Sequence, residues 1–403
     1  MSGDLKQYIE SRQVLCREAY ESLLTMGAWE GWYKTLSSLY PDNAHFVFEL
    51  LQNAEDANAT KVKFELLDGM LTFKHDGTKD FNEDDVYSIT NVGDSKKGNE
   101  ANKIGKFGVG FKSVFAYTTS PKIYSKSVSF EIKHLFIPSL IDPEPIRGGY
   151  STIFNFPFDR EDKSKEDAFN EVKALFDELS DNVLLFLTNI QTIEWQIEGS
   201  NSHRITKEKR NELIEISNTQ KGTSFWLVFS KAFVFDGSDK PLNLSIAYSF
   251  NNEKNEIEPI RGDVSIFFPA KKETSKLKFH IDAPFSSTVA RDSIVESTEN
   301  EKMMEKIVTI CQESIHQIRD KGLLTPVFFE ALPTAEDELD FFYIPIFRGL
   351  LEEFSSRDNK LIPLKDGSFG SVDRSVFCSR RVSDTFVDNE DLETSKALMD
   401  EWI

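Results

Sequence analysis

Cysteine is scarce in this chain. Three thiols, Cys16, Cys311 and Cys378, are scattered over 403 residues, odd in number and too far apart for a disulfide framework or a zinc cluster. They are expected as buried free thiols. Long apolar runs are also missing. No stretch approaches the roughly 20 residues needed to cross a bilayer, and the N-terminal MSGDLKQYIE lacks a signal-peptide core. The expectation is a soluble, cytoplasmic chain with no membrane partner. Basic charge is in deficit, with 47 Lys and Arg against 67 Asp and Glu and a net charge of −20. That balance argues against broad electrostatic attachment to nucleic acid or to an anionic membrane. Internal repeats and low-complexity segments are absent.

Apolar and aromatic residues are plentiful, at 39% and 12%, enough for two or three domains with buried cores. Residues 1–38 read as an N-terminal helical arm, with apolar residues at Leu5, Ile9, Val14, Tyr20, Leu23 and Leu24. A helix over Phe46–Asn58 precedes two strand-like runs, KVKFELL (61–67) and MLTFKH (70–75), joined at Asp68-Gly69, a two-residue hairpin signal. FNEDDVYSIT (81–90) reads as a short helix capped by Asn82. A long loop carrying Gly93, Gly98, Gly105, Gly108 and Gly110 then runs into FKSVFAY. Alternating strands over 122–158, a charged helix at 164–179 and the apolar NVLLFLTNIQTIEW complete a first domain of residues 39–197. A polar interval, Glu198 to Gly222, leads into a second β-rich block made of TSFWLVFS, LNLSIAYSF, DVSIFFPA and LKFHIDAPF, closed by a helix at about 299–320. This predicts a second domain over 198–322 and an α+β fold class. Residues 323–403 hold shorter elements and stop without a polar tail, as a piece of a longer chain would.

Two stretches carry the chemistry. In FELLQNAEDANAT (48–60), helical spacing puts Leu50, Leu51 and Ala54 on one stripe with Val47, and clusters Glu49, Asn53 and Asp56 on another within about 60°. A plain solvated face more often carries long Lys/Glu pairs than an amide flanked by two carboxylates. In NKIGKFGVGFKS (102–113), Gly105, Gly108 and Gly110 precede a helix starting near Phe111. Glycine lets backbone N–H groups approach an anion closely, and a helix N-terminus adds about half a positive charge. Lys96, Lys97, Lys103, Lys106 and Lys112 face only Glu100 in this part of an acidic chain. The segment therefore suits an anion, with a flexible turn as the plain alternative.

ELLQNAEDA (49–57), GKFGVGFKS (105–113) and GGYSTIFNF (148–156), in that order, resemble the boxes of the GHKL ATPases. That superfamily includes the ninety-kilodalton heat-shock chaperones, type II topoisomerase ATPase subunits and mismatch-repair ATPases. LYPDNAHFVFELLQNAEDA, IGKFGVGFKSVF, LLFLTNIQTIEW and IDAPFSSTVARDSI are most similar to its sacsin-like and plant No-vein-like branch, over about Leu39 to Val295. The resemblance implies a Bergerat-type ATPase α/β sandwich followed by a transducer-like domain, with ATP and Mg²⁺ as ligands. Carried over by position, Glu49 matches the general base that orients the attacking water, and Asn53 matches the Mg²⁺ ligand, with Asp56 behind them. Gly105, Gly108 and Gly110 match the phosphate-binding glycines, with Lys106, Phe107, Val109 and Phe111 among them. Gly93 to Lys103, including Ser95 and Lys96, matches the nucleotide lid. Lys112 is expected either beside the phosphates or as an exposed helix lysine.

One box departs from the pattern. KHDGTKDF puts His75 where the family has an adenine-binding Asp, and Lys79 where it has a second Gly. Either Asp76 substitutes through a shifted turn, or a backbone carbonyl or ordered water does the work, with Thr152 able to hold the water. Arg291 is expected either on the γ-phosphate, as related ATPases use a basic residue of the second domain, or in a surface salt bridge with Asp292. The function implied is Mg-dependent ATP hydrolysis driving lid closure and domain rearrangement. The setting would be a larger chaperone-like or defence and DNA-processing protein, with a protein client and an ATP-dependent homodimer as partners. The alternative is a non-hydrolysing, ATP-gated scaffold. A histidine kinase is disfavoured, because no phosphoacceptor helix precedes the domain.

Overall fold

The structure is a computed structural model, and it describes residues 2–38, 46–67, 69–91, 109–235, 241–288, 292–364, 366–377 and 396–398. It is of the α+β class, with a large mixed sheet and helices. The chain divides into two compact units, one formed by residues 1–208, 216–223 and 236–240, the other by 209–215, 224–235 and 241–403.

In the first unit, α1 (Ser2–Thr25) and α2 (Trp29–Ser38) precede α3 (Phe46–Asp56), β1 (Lys61–Leu67), β2 (Met70–His75) and α4 (Glu83–Thr90). There follow α5 (Val109–Lys112), β3 (Lys122–Ser125), β4 (Ser129–Lys133), β5 (Ile137–Leu140), β6 (Thr152–Pro157), α6 (Lys165–Glu178), α7 (Asn182–Leu185), β7 (Thr192–Ile197) and β8 (His203–Arg210). The strands lie in the order β8-β7-β1-β2-β6-β3-β4-β5. β1 and β7 run parallel and the other neighbours in this order run antiparallel. Period-two alternation separates the two faces of the sheet. One face carries Phe64, Phe73, Phe156 and Trp195, all fully buried and in ring contact with one another or with Phe176 of α6 and Phe46 of α3. The other carries Lys63, Glu65 and Lys74, joined as ion pairs, and the Thr72–Asn155 hydrogen bond at 3.0 Å. α4 starts at the expected Asn82, whose side chain and that of Asp85 form a reciprocal capping box. α1 buries Leu5, Ile9 and Cys16, but Val14 and Leu24 of the expected stripe are exposed.

The chain passes between the units within β9 (Leu213–Asn218) and at the start of β10 (Gly222–Phe233), and the second unit goes on with β11 (Leu242–Asn251), β12 (Glu256–Glu258), β13 (Val264–Ile266), β14 (Phe268–Pro269), β15 (His280–Asp282), α8 (Thr298–Asp320), α9 (Pro326–Glu330) and α10 (Ile344–Ser355), with short strands beyond. The polar interval is thus not a bare linker, since it holds β8 and β9. The order here is β14-β13-β15-β11-β10. Leu244, Ile246 and Tyr248 of β11 join Ile307, Cys311, Ile315 and Ile318 of α8 in one core. α10 approaches α8 through Gly349, where a Cβ would lie 2.3 Å from Val308. On the opposite face, register aligns Ser230, Ser245, Asp282 and Ser265 across four strands. Ser230 and Ser245 share a hydrogen bond of 2.7 Å, whereas Asp282 Oδ1 is buried with no hydrogen-bond partner among the described residues.

Candidate functional site

α3 buries Val47, Leu50, Leu51 and Ala54 completely and leaves Asn53 and Asp56 exposed, as its spacing predicts. Glu49, one turn before Asn53, is 8% exposed. The reason is α5: a Cβ built on Gly110 would lie 2.0 Å from Glu49 Oε2 and 2.6 Å from its Cδ. Glycine alone admits a carboxylate so close to the backbone. α5 is fixed by Phe111, buried with its ring 6.1 Å from Phe154 and 6.4 Å from Phe156, and by Ser113 Oγ, which donates to Gly110 O at 2.5 Å. A buried acid, an exposed amide one turn on, and the backbone of the last loop glycine are thereby assembled from segments far apart in sequence.

The β2 end adds a second cluster. Gly77 packs on the end of α3 so tightly that a Cβ there would lie 2.9 Å from both Cβ and O of Ala57. Thr78 N donates to Ala57 O at 2.9 Å, and Lys79 Nζ donates to Asp56 O. His75 is 4% exposed. Its Nδ1 accepts from Gly77 N at 3.1 Å, and burial pushes its pKa down to about 4, a trend the Asp76 carboxylate only partly opposes. The imidazole is neutral, and with Nδ1 accepting, its proton is on Nε2. Asp76 is turned to the start of β1, accepting from Thr60 N at 2.7 Å, Thr60 Oγ1 at 2.6 Å and Lys61 N at 2.8 Å. Burial raises its pKa, but those hydrogen bonds outweigh it and hold the carboxyl below the usual range. Thr152, buried, is the cross-strand partner of His75. Neighbouring Ser151 donates its hydroxyl to Gly77 O at 2.6 Å and to His75 O at 3.2 Å.

Two buried charges hold these pieces. Lys112 is not on an exposed helix face: its Nζ donates to Ile89 O and, at 2.6 Å, to Leu135 O, and burial lowers its pKa to about 7, with Cys16 opposing the shift and Arg12 adding to it. The ammonium ties the end of α4 to α5, on either side of residues 92–108. Glu55, which sequence reasoning passed over, accepts from three successive amides, Thr188 and Asn189 at 2.7 Å and Ile190 at 2.9 Å. Nothing in its local sequence sets it apart from Glu49 and Asp56. Gly93, Ser95, Lys96, Gly105, Lys106, Phe107, Gly108 and Arg291 lie outside the described residues, and Val109 opens α5. Asp292 bonds to Lys272, and at 2.7 Å to Thr288 Oγ1. Among the described residues no His, Cys, Asp and Glu cluster could by itself hold a metal ion, and no helix is long and apolar enough to cross a membrane.

The strands β2 to β5 and the helices α4 and α5 fall within one recognisable stretch. Residues 70–144 match the Sacsin domain. The Sacsin domain match therefore includes His75, Gly77, Gly110 and Lys112, while α3 and its Glu49 precede it. The chain is 24% identical over 296 residues, 64% of its length, to Protein NO VEIN of Arabidopsis thaliana, of which it covers 11%. It is 34% identical over 125 residues, 27% of its length, to Sacsin of Homo sapiens, of which it covers 3%. These likenesses support a sacsin-like and No-vein-like family, and the chain spans a small part of either relative.

Proposed function

We propose that this chain binds ATP with Mg²⁺ and hydrolyses the terminal phosphate in the manner of the GHKL ATPases. The observation that carries the reading is the contact of Glu49 with Gly110. It holds a carboxylate against the backbone of a glycine-rich loop, where a side chain would fill the space. Glu49 would accept the proton or hydrogen bond of the attacking water and orient it. The Asn53 amide oxygen, exposed one turn along α3, is a hard ligand suited to Mg²⁺. The ion, when bound, supplies neutralisation of phosphate charge. The turn at His75 and Gly77, at the same end of α3, would meet the base, and Thr152 would hold a water there. Lys112 ties α5 to the end of α4, Phe111 packs α5 on β6, and Glu55 fixes the end of α3 to the turn before β7.

In the longer protein, nucleotide would drive rearrangement of neighbouring segments, with Arg291 as the basic residue answering to the γ-phosphate. The work done would be motion of a protein client, with two copies pairing when ATP is bound. The test is steady-state phosphate release beside nucleotide affinity, for wild type and Glu49→Ala at the same salt and Mg²⁺. The variant is expected to bind ATP about as tightly as wild type while losing roughly 10²- to 10⁴-fold in turnover. Unchanged turnover removes Glu49 from catalysis. Tight binding without turnover in wild type, in the parent protein as well as in this chain, leaves a nucleotide-gated scaffold instead.

A further inference from the structure

Two contacts of the N-terminal arm lie one residue away from the two acceptors of Lys112. Its ammonium donates to Ile89 O in the last turn of α4 and to Leu135 O in the turn between β4 and β5. Beside the first acceptor, Arg12 of α1 donates through Nε to Thr90 Oγ1 at 3.1 Å, with its guanidinium 4.6 Å from the centroid of the Tyr87 ring. Thr90 closes α4 and is 1% exposed. Beside the second, Tyr20 of α1 stacks on His134 with centroids 4.2 Å apart and planes 22° apart. Trp29 of α2 stands edge-on to both rings, 4.8 Å from Tyr20 and 6.0 Å from His134.

The turn needs such support. His134 and Leu135 both have positive φ, 48° and 71°, a region that side chains of their kind seldom enter. The arm surrounds the turn further: Trp29 and Trp32 pack on Phe136 at 6.3 and 5.6 Å, and Gln13 Nε2 donates to Ser139 Oγ of β5 at 2.6 Å. Between the two grips α1 runs close to the ammonium, since its Arg12 and buried Cys16 are the groups whose charges act on Lys112. Lys112 in turn ends α5, two positions after Gly110. A helix of one turn has too few internal hydrogen bonds to hold its own place, so α5 takes its position from its side-chain tethers.

We infer that the N-terminal arm is a positioning element of the candidate site: Arg12 and Tyr20 fix the two carbonyls that hold Lys112, and through Lys112 the approach of Gly110 to Glu49. The bearing on turnover rests on the nucleotide reading above, whereas the hold on Lys112 needs no ligand. Loosening both carbonyls leaves a buried ammonium short of acceptors, and its side chain then exchanges with solvent.

Acylation of lysine amines by acetic anhydride at pH 8, read by peptide mass spectrometry on the 403-residue chain, reports that exchange without nucleotide. Lys207 of the same unit, whose hydrogen bond to Leu187 O involves no arm residue, controls for general loosening. Wild type is expected to label slowly at Lys112. The double variant Arg12→Ala, Tyr20→Ala is expected to label there about tenfold faster or more, with Lys207 at its wild-type rate. Each single variant keeps one grip, should fall between the two, and serves if the double variant does not fold. An unchanged rate at Lys112, or an equal rise at Lys207, overturns the inference. Phosphate release by the same variants is expected to fall about tenfold with ATP affinity within about twofold of wild type. Wild-type turnover with Lys112 released removes the arm from positioning the site. Absence of nucleotide binding in wild type overturns the nucleotide reading and the bearing on turnover with it, while labelling still decides the hold on Lys112.

Discussion

Glu49 and Gly110 touch although they are 61 positions apart in sequence, and a side chain at 110 has nowhere to go but into the carboxylate. Gly110→Ala is therefore expected to destabilise the chain by about 1–3 kcal/mol through overpacking, and to do so less once Glu49 is shortened to Ala. Urea denaturation of the two single variants and the double variant measures the coupling, which should reach about 1 kcal/mol. An unchanged Gly110→Ala effect in the Glu49→Ala background would mean the two are not in contact. Lys112 makes a second residue-scale prediction. Its folded pKa, about 7, lies below the usual 10.5, so between those values the unfolded chain binds more protons and stability rises with pH. Denaturation midpoints measured from pH 7 to 10 should carry this rise in wild type and lose it, on the order of a few kcal/mol, in Lys112→Met. The burial of Lys112 is not legible in the sequence, because a helix of four residues gives no periodicity from which it could be judged.

At the scale of elements, alternation and turn chemistry were enough to bound β1 and β2 to the residue, and Asn82 marked the start of α4. β8 and β9 were missed because HRITKEKR buries only Ile205 fully among charged neighbours. A strand with one solvated face and few apolar residues reads as a linker. The Glu49, Asn53 and Asp56 face was legible from helical spacing, but its meeting with Gly110 is a tertiary fact that only resemblance anticipated. Glu55 was illegible for the same reason, its partners lying 133 to 135 residues away. That carboxylate clamps the turn before β7 to the end of α3. Glu55→Gln keeps the shape but removes the charge and allows one oxygen at most to accept, so a loss of about 2–3 kcal/mol is expected. Hydrogen exchange should report it first at Thr188, Asn189 and Ile190, and full protection of those amides in the variant would argue against the clamp.

At the scale of the whole molecule, stability is shaped by groups remote from the candidate site. Asp282 lies between Ser245 and Ser265 in the cross-strand row of the second unit, and burial raises its pKa from 3.8 to about 7. The folded chain holds that proton where the unfolded chain has released it, so this contribution is full below about pH 4 and is lost as pH rises through 7. Asp282→Asn should flatten the decline, leaving the variant more stable than wild type at pH 8 by on the order of a few kcal/mol. Thermal unfolding at pH 5 and pH 8 checks it, and parallel curves for the two proteins would exclude the effect. The interleaved division of the chain bears on synthesis. Residues 216–223 belong to the first unit yet follow residues 209–215 of the second. At about 5–20 residues per second on the ribosome, the first unit waits several seconds after its strand β7 has emerged before its last pieces arrive. A nascent chain arrested between residues 197 and 223 would expose an unfinished edge to chaperones.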